Sequence, residues 1–147
     1  MEIREIMNAD VTAVTPATSL VEAAAVLRSS QASDLMVVDQ DNVFVGVLSE
    51  GDLLRAAMPG FEDVMFTSGS LSGAFQSFVD EGGLLANSTV EKLLLKDPLV
   101  VRPYNHPLRA AALMVSRQIR RLPVVDDDGT LVGTISRADI ATAIIRP

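Results

Sequence analysis

The chain contains no cysteine and no tryptophan, and it has a single histidine. Without cysteine there is no disulfide, thiolate metal site or cysteine nucleophile, and one histidine cannot build a zinc site of the usual kind. Aromatic residues make up only 4% of the chain, which argues against base-stacking platforms for nucleic acid. The absence of cysteine also agrees with a reducing compartment such as the cytoplasm.

Long apolar runs are missing as well. Nowhere do 18 apolar residues follow one another, so we expect no membrane-spanning helix and no membrane partner. The charged start MEIREIMNAD lacks the apolar core of a secretory signal, and we therefore predict a cytoplasmic protein. Hydrophobic residues make up 48% of the 147 residues, enough for a folded core rather than a disordered chain.

Charge is distributed unevenly along the sequence. Residues 1–55 carry a net charge of −6, residues 56–89 have four acids and no lysine or arginine, and residues 90–147 carry +3. Most of the surface would repel a nucleic acid, which we exclude as a partner. A small anion meeting only the last third of the chain would not be repelled.

The chain contains a tandem repeat. At an offset of 87 residues, Pro16 aligns with Pro103 and Val37-Val38-Asp39 aligns with Val124-Val125-Asp126. A second motif matches at the same offset: Gly46, Ser49 and Asp52 align with Gly133, Ser136 and Asp139. We predict a first repeat over residues 2–57, a linker with a short helix over 58–88, and a second repeat over 89–147.

Each repeat is predicted to run helix, strand, helix, strand, strand, helix. Short helical stretches, Glu2–Met7 and Val90–Leu95, lead into extended segments that end at Pro16 and Pro103. In the first repeat, Ser19 and Glu22 form the pattern of a capping box for a helix through about Ser29. Its counterpart starts with Asn105 or His106 as the cap and Pro107 at the first helical position.

The strand pair of each repeat follows from its turn. Apolar runs, Leu35–Val38 and Leu122–Val125, precede acidic turns, and the pair Asp128-Gly129 favours a hairpin because that turn needs positive φ. The second strands, Val43–Leu48 and Thr130–Ile135, run into helices that start at Ser49 and Ser136.

In this order the residues resemble the cystathionine-β-synthase (CBS) domain, which occurs in pairs called Bateman modules. The resemblance covers both repeats and rests on Arg4-Glu5-Ile6-Met7 through Thr15-Pro16, on Leu122-Pro123-Val124-Val125-Asp126, and on Gly-x-x-Ser-x-x-Asp occurring twice. It implies an α+β (α/β-like) fold of two βαββα units, packed sheet to sheet about a pseudo-twofold axis. It further implies adenosine-containing ligands in clefts between the repeats, and homodimers.

The Ser-x-x-Asp motifs have two interpretations. Taken alone, Ser49 with Asp52, or Ser136 with Asp139, is a capping box at the start of a helix. The same geometry offers free N–H groups to a phosphate, and the aspartate can accept both hydroxyls of a ribose. The resemblance favours the ligand interpretation, with the aspartate on the ribose diol and the serine on sugar or phosphate.

The two sites are not expected to be equivalent. The second repeat supplies the favoured ligand residues, which are Gly133, Ser136, Asp139, Arg120, Arg121, Arg137 and Pro123. The resemblance places Arg120 and Arg121 on ligand phosphates, although a solvated basic helix face is the plainer interpretation.

The first repeat offers Gly46, Ser49 and Asp52, but Ser33, Asp34 and Glu50 replace Arg120, Arg121 and Arg137. These changes remove positive charge or add negative charge, which leaves three alternatives for this site. It is empty, it binds uncharged adenosine or cationic S-adenosylmethionine, or it uses arginines from the other repeat.

The linker has two interpretations. Phe61–Phe66 and Leu71–Asp80 are predicted helical, with Glu81-Gly82-Gly83 closing the second stretch. Packing against the repeats is the plainer role, and docking to a partner through Met58, Met65 and Phe66 is the alternative.

An enzyme is not expected. No phosphate-loop or dinucleotide glycine motif is present, His106 fits a helix cap, and Asp126-Asp127-Asp128 fits a hairpin turn better than a Mg²⁺ site. We predict a non-catalytic module that senses AMP, ADP, ATP or S-adenosylmethionine, requires no cofactor and acts on an effector protein. The alternative is a ligand-free dimerisation module. The aliphatic stretches Ala23–Leu27 and Ala110–Val115 predict a symmetric homodimer in either case.

Overall fold

The computed structural model describes residues 1–95 and 98–147. The described part contains two 3₁₀ helices: Ile3–Glu5, which has three residues, and Val90–Leu93, which has four. The strands are β1 Ala13–Val14, β2 Asp34–Val38, β3 Phe44–Ser49, β4 Arg121–Val125 and β5 Leu131–Ser136. The α-helices are α1 Leu20–Ser30, α2 Glu50–Ala57, α3 Phe61–Thr67, α4 Leu71–Leu85, α5 Pro107–Arg117 and α6 Arg137–Ile144. None of these helices has the length and apolar character needed to cross a bilayer.

Two sheets are formed from these strands. The first has the order β1-β2-β3, and the second pairs β4 with β5 in antiparallel register, with Arg121 opposite Ser136 and Val124 opposite Gly133. A third strand was predicted for the second repeat, but in the described part only Val101 makes a parallel bridge there, to Val124. The flanking residues Pro98 and Pro103 supply no N–H group, which limits strand length on both sides.

The chain divides into two compact units. The first comprises Met1–Ala13, Met36–Gly46 and Lys96–Pro147, and the second comprises Val14–Leu35 and Val47–Leu95. In the first unit, α5 packs on β4 and α6 packs on β5 and α5. Its core is aliphatic and contains Ile3, Val101, Ala110, Met114, Leu122, Val124, Ile135 and Ile140.

The second unit is built from helices of the first repeat and of the linker. There α2 contacts α1 and α4, and α3 contacts α4. The rings of Phe61 and Phe78 stack with their centroids 5.9 Å apart, which joins α3 to α4. One face of the linker therefore packs as the plainer interpretation predicted.

The leading segments of the repeats are exchanged between these units. In the first unit, Ile3 N–H donates to the Asn105 carbonyl at 2.9 Å, and Arg4 N–H donates to the Pro103 carbonyl at 2.9 Å. In the second unit, Val90 N–H donates to the Thr18 carbonyl at 2.9 Å, and Glu91 N–H donates to the Pro16 carbonyl at 3.1 Å. Each repeat thus supplies the short helix that completes the unit holding the other repeat's helices.

The two hairpin turns pair with each other inside the first unit. Phe44 N–H donates to the Gly129 carbonyl at 2.9 Å, and Leu131 N–H donates to the Asn42 carbonyl at 3.1 Å. Asn42 and Gly129 both have positive φ, at 62° and 90°, as a tight turn at these positions requires. The hairpin predicted from Asp128-Gly129 is confirmed.

Outside the linker the α-helix boundaries agree with the predictions, whereas the leading segments predicted as Glu2–Met7 and Val90–Leu95 form the shorter 3₁₀ helices Ile3–Glu5 and Val90–Leu93. Of the capping box predicted for α1, the structure shows the bond in which Ser19 Oγ accepts from Glu22 N–H. His106, rather than Asn105, caps α5 by accepting from Leu108 N–H. The predicted stop at Glu81-Gly82-Gly83 is wrong, because α4 continues to Leu85. A glycine inside a helix costs only about 1 kcal/mol relative to alanine and, unlike proline, keeps its backbone hydrogen bond.

Candidate functional site

Both Ser-x-x-Asp motifs lie where a strand becomes a helix and form complete capping boxes. Ser136 Oγ accepts from Asp139 N–H at 3.1 Å, and Asp139 Oδ2 accepts from Ser136 N–H at 2.8 Å. Ser49 and Asp52 repeat this arrangement at the start of α2, with distances of 3.1 and 2.9 Å. The capping interpretation is confirmed for both motifs, and each aspartate is fixed by its helix start.

The two aspartates differ in what their second carboxylate oxygen contacts. Asp52 Oδ1 accepts from the Arg55 guanidinium at 2.6 Å, whereas Thr142 takes the place of Arg55 in the second repeat. Within residues 1–95 and 98–147, Asp139 Oδ1 has no hydrogen-bond or ion-pair partner. Asp139 therefore offers an acceptor beside the N-terminus of α6, where backbone N–H groups favour an anion.

The carboxyl group of Asp52 is tuned by its neighbours. Partial burial raises its pKa, but hydrogen bonds from Ser49 and Arg55 and the Arg55 charge outweigh burial, so that the pKa lies below 3.8. Asp52 is thus held as a carboxylate by contacts within its own helix. The Asp52–Arg55 spacing of three residues was visible in the sequence and is the signal that our prediction of the first site missed.

Three of the predicted second-site residues surround the start of β4. Arg121 lies opposite Ser136 in the sheet, and its Nη1 donates to Oγ1 of the buried Thr134 at 3.1 Å. Arg120 is exposed, and its carbonyl accepts from Arg137 N–H at 3.1 Å. Pro123 is buried in β4 opposite Thr134. Arg120, Arg121 and Ser136 are therefore brought to the same end of the β4–β5 pair.

Arg137 was predicted to face the ligand, but its guanidinium lies elsewhere. Nε donates to the Ile119 carbonyl at 3.0 Å and Nη2 donates to the Met114 carbonyl at 3.2 Å. These carbonyls lie at the C-terminal end of α5, where Gln118 adopts a left-handed conformation. Arg137 thus stabilises the end of α5, as basic side chains do at helix C-termini.

Gly133 was also predicted to serve the ligand, and the structure shows a packing reason for it. A Cβ at this position would lie 2.8 Å from the Asn8 carbonyl and 2.8 Å from Met7 Sδ. Asn8 and Thr134 form an isolated antiparallel bridge at this point. The exchanged N-terminal segment therefore lies directly against Gly133, whereas Gly46 is simply buried in β3.

The acidic segment Asp126-Asp127-Asp128 lies in the hairpin turn between β4 and β5. Asp126 Oδ1 and Asp128 Oδ1 each accept from Thr130 N–H at 3.0 Å. Their hydrogen bond to each other raises the pKa of Asp126, and it is the main cause that lowers the pKa of Asp128 to about 2. Among the residues that the structure describes, no histidine, aspartate and glutamate cluster is arranged to hold a metal ion.

Comparison with known proteins identifies both repeats. The family model of the CBS domain matches residues 3–59 and 90–146. The chain belongs to the CBS domain family. It therefore has two CBS domains and the mixed helix-and-strand fold of a CBS pair, as the resemblance implied.

Relatives of this CBS pair include archaeal and plant proteins. An uncharacterised protein of Methanocaldococcus jannaschii is 28% identical over 99% of this chain and 92% of its own length. The chloroplastic CBS domain-containing protein CBSX1 of Arabidopsis thaliana is 32% identical over 93% of this chain, which spans 60% of that protein. The crystal structure of CBSX2 in complex with AMP has a TM-score of 0.74 and is 28% identical, over 98% of this chain and 96% of that one.

Proposed function

We propose that this CBS pair is a non-catalytic regulatory module that binds an adenosine nucleotide at its second Gly-x-x-Ser-x-x-Asp motif. The observation that carries the proposal is the open carboxylate oxygen of Asp139, in contrast to the Arg55-bound oxygen of Asp52. The AMP complex of the similar protein CBSX2 supports the ligand class. The absence of a resident cofactor is part of the proposal.

Each residue near the second motif has a defined role in the proposal. Asp139 accepts hydrogen bonds from the ribose diol through the oxygen that Ser136 does not occupy. The Ser136 hydroxyl, which already accepts from Asp139 N–H, donates to a sugar or phosphate oxygen. Arg120 and Arg121 stabilise the phosphate, because a guanidinium matches two phosphate oxygens. Arg137, Gly133 and Pro123 hold the surrounding backbone rather than the ligand.

The first motif binds phosphorylated ligands weakly in this proposal. Asp52 is paired with Arg55, and Asp34 and Glu50 stand where the second repeat has arginines. These carboxylates would repel a phosphate group, and the repulsion lowers the affinity of the first site for a phosphorylated ligand. In this proposal the main role of the first motif is structural: it comprises Gly46, Ser49 and Asp52.

Isothermal titration with AMP, ADP, ATP and S-adenosylmethionine tests the proposal. We expect saturable binding of at least one of the four, with about one ligand per chain. If none of the four ligands gives a binding signal, the sensing role is wrong and the second candidate, a ligand-free dimerisation module, remains.

The second candidate is favoured by a different observation. Leu108, Val115, Ile144 and Ile145 are exposed on or beside α5 and α6, which is typical of a surface that another protein covers. A symmetric homodimer is part of both candidates, and the regulatory candidate adds an effector protein in the cytoplasm. Light scattering at tens of micromolar distinguishes a dimer from a monomer.

A further inference from the structure

The outer face of α4 carries an apolar row of three side chains, called the α4 row below: Leu71, Phe75 and Val79. Residues four apart lie on one side of a helix, so these side chains are adjacent. Leu71 is 73% exposed and Phe75 is 71% exposed. The inner face of α4 is already packed, since Ala74 is buried and Phe78 stacks on Phe61 of α3. The α4 row is therefore not needed to hold α4 in place.

The α4 row continues into two glycines for which the chain itself shows no packing reason. Gly82 and Gly83 lie in the last turn of α4, and a Cβ added to either would find nothing within 4 Å. Glycine weakens a helix relative to alanine. Gly73 in the first turn has a packing reason, because its Cβ would lie 3.1 Å from Ser70 Oγ. At Gly82 and Gly83 the missing side chains instead leave room for a second backbone to come close to α4 from outside.

The α4 row and the two glycines have the dimensions of a contact between helices. From Leu71 to Gly83 they extend about 18 Å, because each residue adds about 1.5 Å along a helix axis. An extended peptide would need unpaired backbone groups at a sheet edge, which a helix face does not offer. A ridge of side chains on one helix fits the groove between ridges on another. The α4 row therefore fits an amphipathic helix whose apolar residues recur at every third or fourth position.

The charge of the linker determines what kind of helix it attracts. Residues 58–88 contain no lysine or arginine and four acids, which are Glu62, Asp63, Asp80 and Glu81. Within residues 1–95 and 98–147, none of these carboxylates forms an ion pair. Asp80 borders the α4 row, since it lies three residues before Gly83. The four acids repel nucleic acid, an anionic lipid surface and the linker of a second copy, and they attract basic groups.

We propose that the α4 row binds a basic amphipathic helix of another protein. The apolar side of that helix covers Leu71, Phe75 and Val79, and its backbone comes close to α4 over Gly82 and Gly83. Its lysines and arginines lie opposite the acids of the linker. The proposal rests on the proposed function in one respect, since the helix belongs to the effector protein, whereas the contact itself requires no nucleotide.

Binding of a synthetic peptide to the full chain tests the proposal. The probe is a fluorescently labelled helical peptide of about 18 residues, long enough to cover the α4 row, with leucines along one side and lysines on both flanks. Fluorescence anisotropy without nucleotide is expected to show saturable binding of one peptide per chain. A peptide of the same composition in scrambled order is expected to bind at least roughly tenfold more weakly, because its leucines share no face.

Two variants locate the bound peptide on the chain. Phe75→Ser is expected to weaken binding at least roughly tenfold, as the loss of a central aromatic side chain does in other interfaces. Gly82→Gln fills the space over α4 without meeting any other part of the chain, so the same loss is expected although glutamine favours a helix. Ser77→Gln is the matched control, because Ser77 is exposed on α4 away from the row, and its affinity is expected to stay unchanged.

Other outcomes would overturn the proposal. No saturable binding, or equal binding of the ordered and scrambled peptides, would leave at most a general attraction between charges. Loss of affinity in Val115→Ser but not in Phe75→Ser would place the peptide on α5 instead. If Phe75→Ser turned a dimer into a monomer in light scattering, a second copy would be what covers the α4 row. AMP titration of the unaltered chain tests the sensing role separately, because peptide binding without AMP binding would refute that role and support this surface.

Discussion

Asp52 and Asp139 occupy equivalent positions in the two repeats and make the same capping contacts, but only Asp52 has an arginine on its second oxygen. A carboxylate that is already neutralised gains little from a ribose, because the ligand would have to displace Arg55. An open carboxylate gains two charge-assisted hydrogen bonds. This difference between two aspartates is the physical basis for unequal sites.

The first prediction concerns these two residues. Asp139→Ala is expected to weaken AMP binding by roughly 10- to 100-fold, since losing about 1.5–3 kcal/mol of charge-assisted hydrogen bonding has that effect. Asp52→Ala is the matched control and is expected to change AMP affinity little. Isothermal titration measures both, after melting curves have shown that each variant is folded. Retained AMP binding in folded Asp139→Ala, with loss in Asp52→Ala, would reverse the site assignment.

Arg121 gives a second prediction, which depends on the ligand. Arg121→Ala is expected to weaken AMP strongly and adenosine much less, because adenosine has no phosphate for the guanidinium to attract. Titrations of the variant with AMP and adenosine under identical salt conditions give the comparison. An equal loss for both ligands would place Arg121 on the nucleoside or in the fold instead.

Gly133 allows a prediction about stability. In Gly133→Ala, the new methyl group meets the Asn8 carbonyl and Met7 Sδ at 2.8 Å, so the N-terminal segment must shift. We expect a loss of about 1–3 kcal/mol, as for overpacking in general. Gly83→Ala is the control: its methyl group meets nothing within 4 Å, and alanine in a helix adds about 0.5–1 kcal/mol. Urea denaturation distinguishes the two, and equal effects would refute the packing role.

At the scale of elements, the capping box of α2 predicts a dependence on pH. The pKa of Asp52 is lower in the fold than its ordinary value of 3.8. The charged form therefore contributes stability above that value, and the contribution is lost as the pH falls through the folded pKa. Asp52→Asn is expected to be less stable than the parent by about 0.5–1 kcal/mol at pH 7, since the Arg55 partner is largely exposed. The gap should narrow below about pH 4 in melting curves, and a constant gap from pH 7 to pH 3 would contradict it.

Most elements of the fold could be predicted from the sequence, because their signals are local. Ser49 and Ser136 are helix caps, Pro107 starts α5 and Gly129 closes a hairpin, and each depends on neighbouring residues alone. The end of α4 could not be predicted in this way, because glycine weakens a helix without ending it.

The site was only partly predictable for a related reason. Chain order identifies which residues lie near the second motif, but not which backbone groups a long side chain reaches. The Arg137 guanidinium donates hydrogen bonds to the carbonyls of Met114 and Ile119. Gly133 packs closely against Asn8, which lies more than 100 residues earlier in the chain. Such contacts follow from tertiary packing and leave no periodic trace in the sequence.

At the scale of the whole molecule, the exchange of the leading segments makes the two repeats depend on each other. Ile3 is fully buried in the unit that contains β4, β5, α5 and α6. Val90 is fully buried in the unit that contains α1, α2, α3 and α4. A compact unit is therefore completed by a residue from the other sequence repeat, and local stability should follow the units rather than the repeats.

The final prediction tests this dependence by hydrogen exchange. Ile3→Val removes one buried methylene, at a cost of about 0.5–1.5 kcal/mol, and should leave the chain folded. Although Ile3 belongs to the first repeat, faster exchange is expected in β4, β5 and α5 rather than in α1 and α2. Val90→Ala is the reciprocal change and should speed exchange in α1 and α2, despite its position at the start of the second repeat. If each substitution instead loosened only the helices of its own repeat, the exchanged segments would not be what holds the two units together.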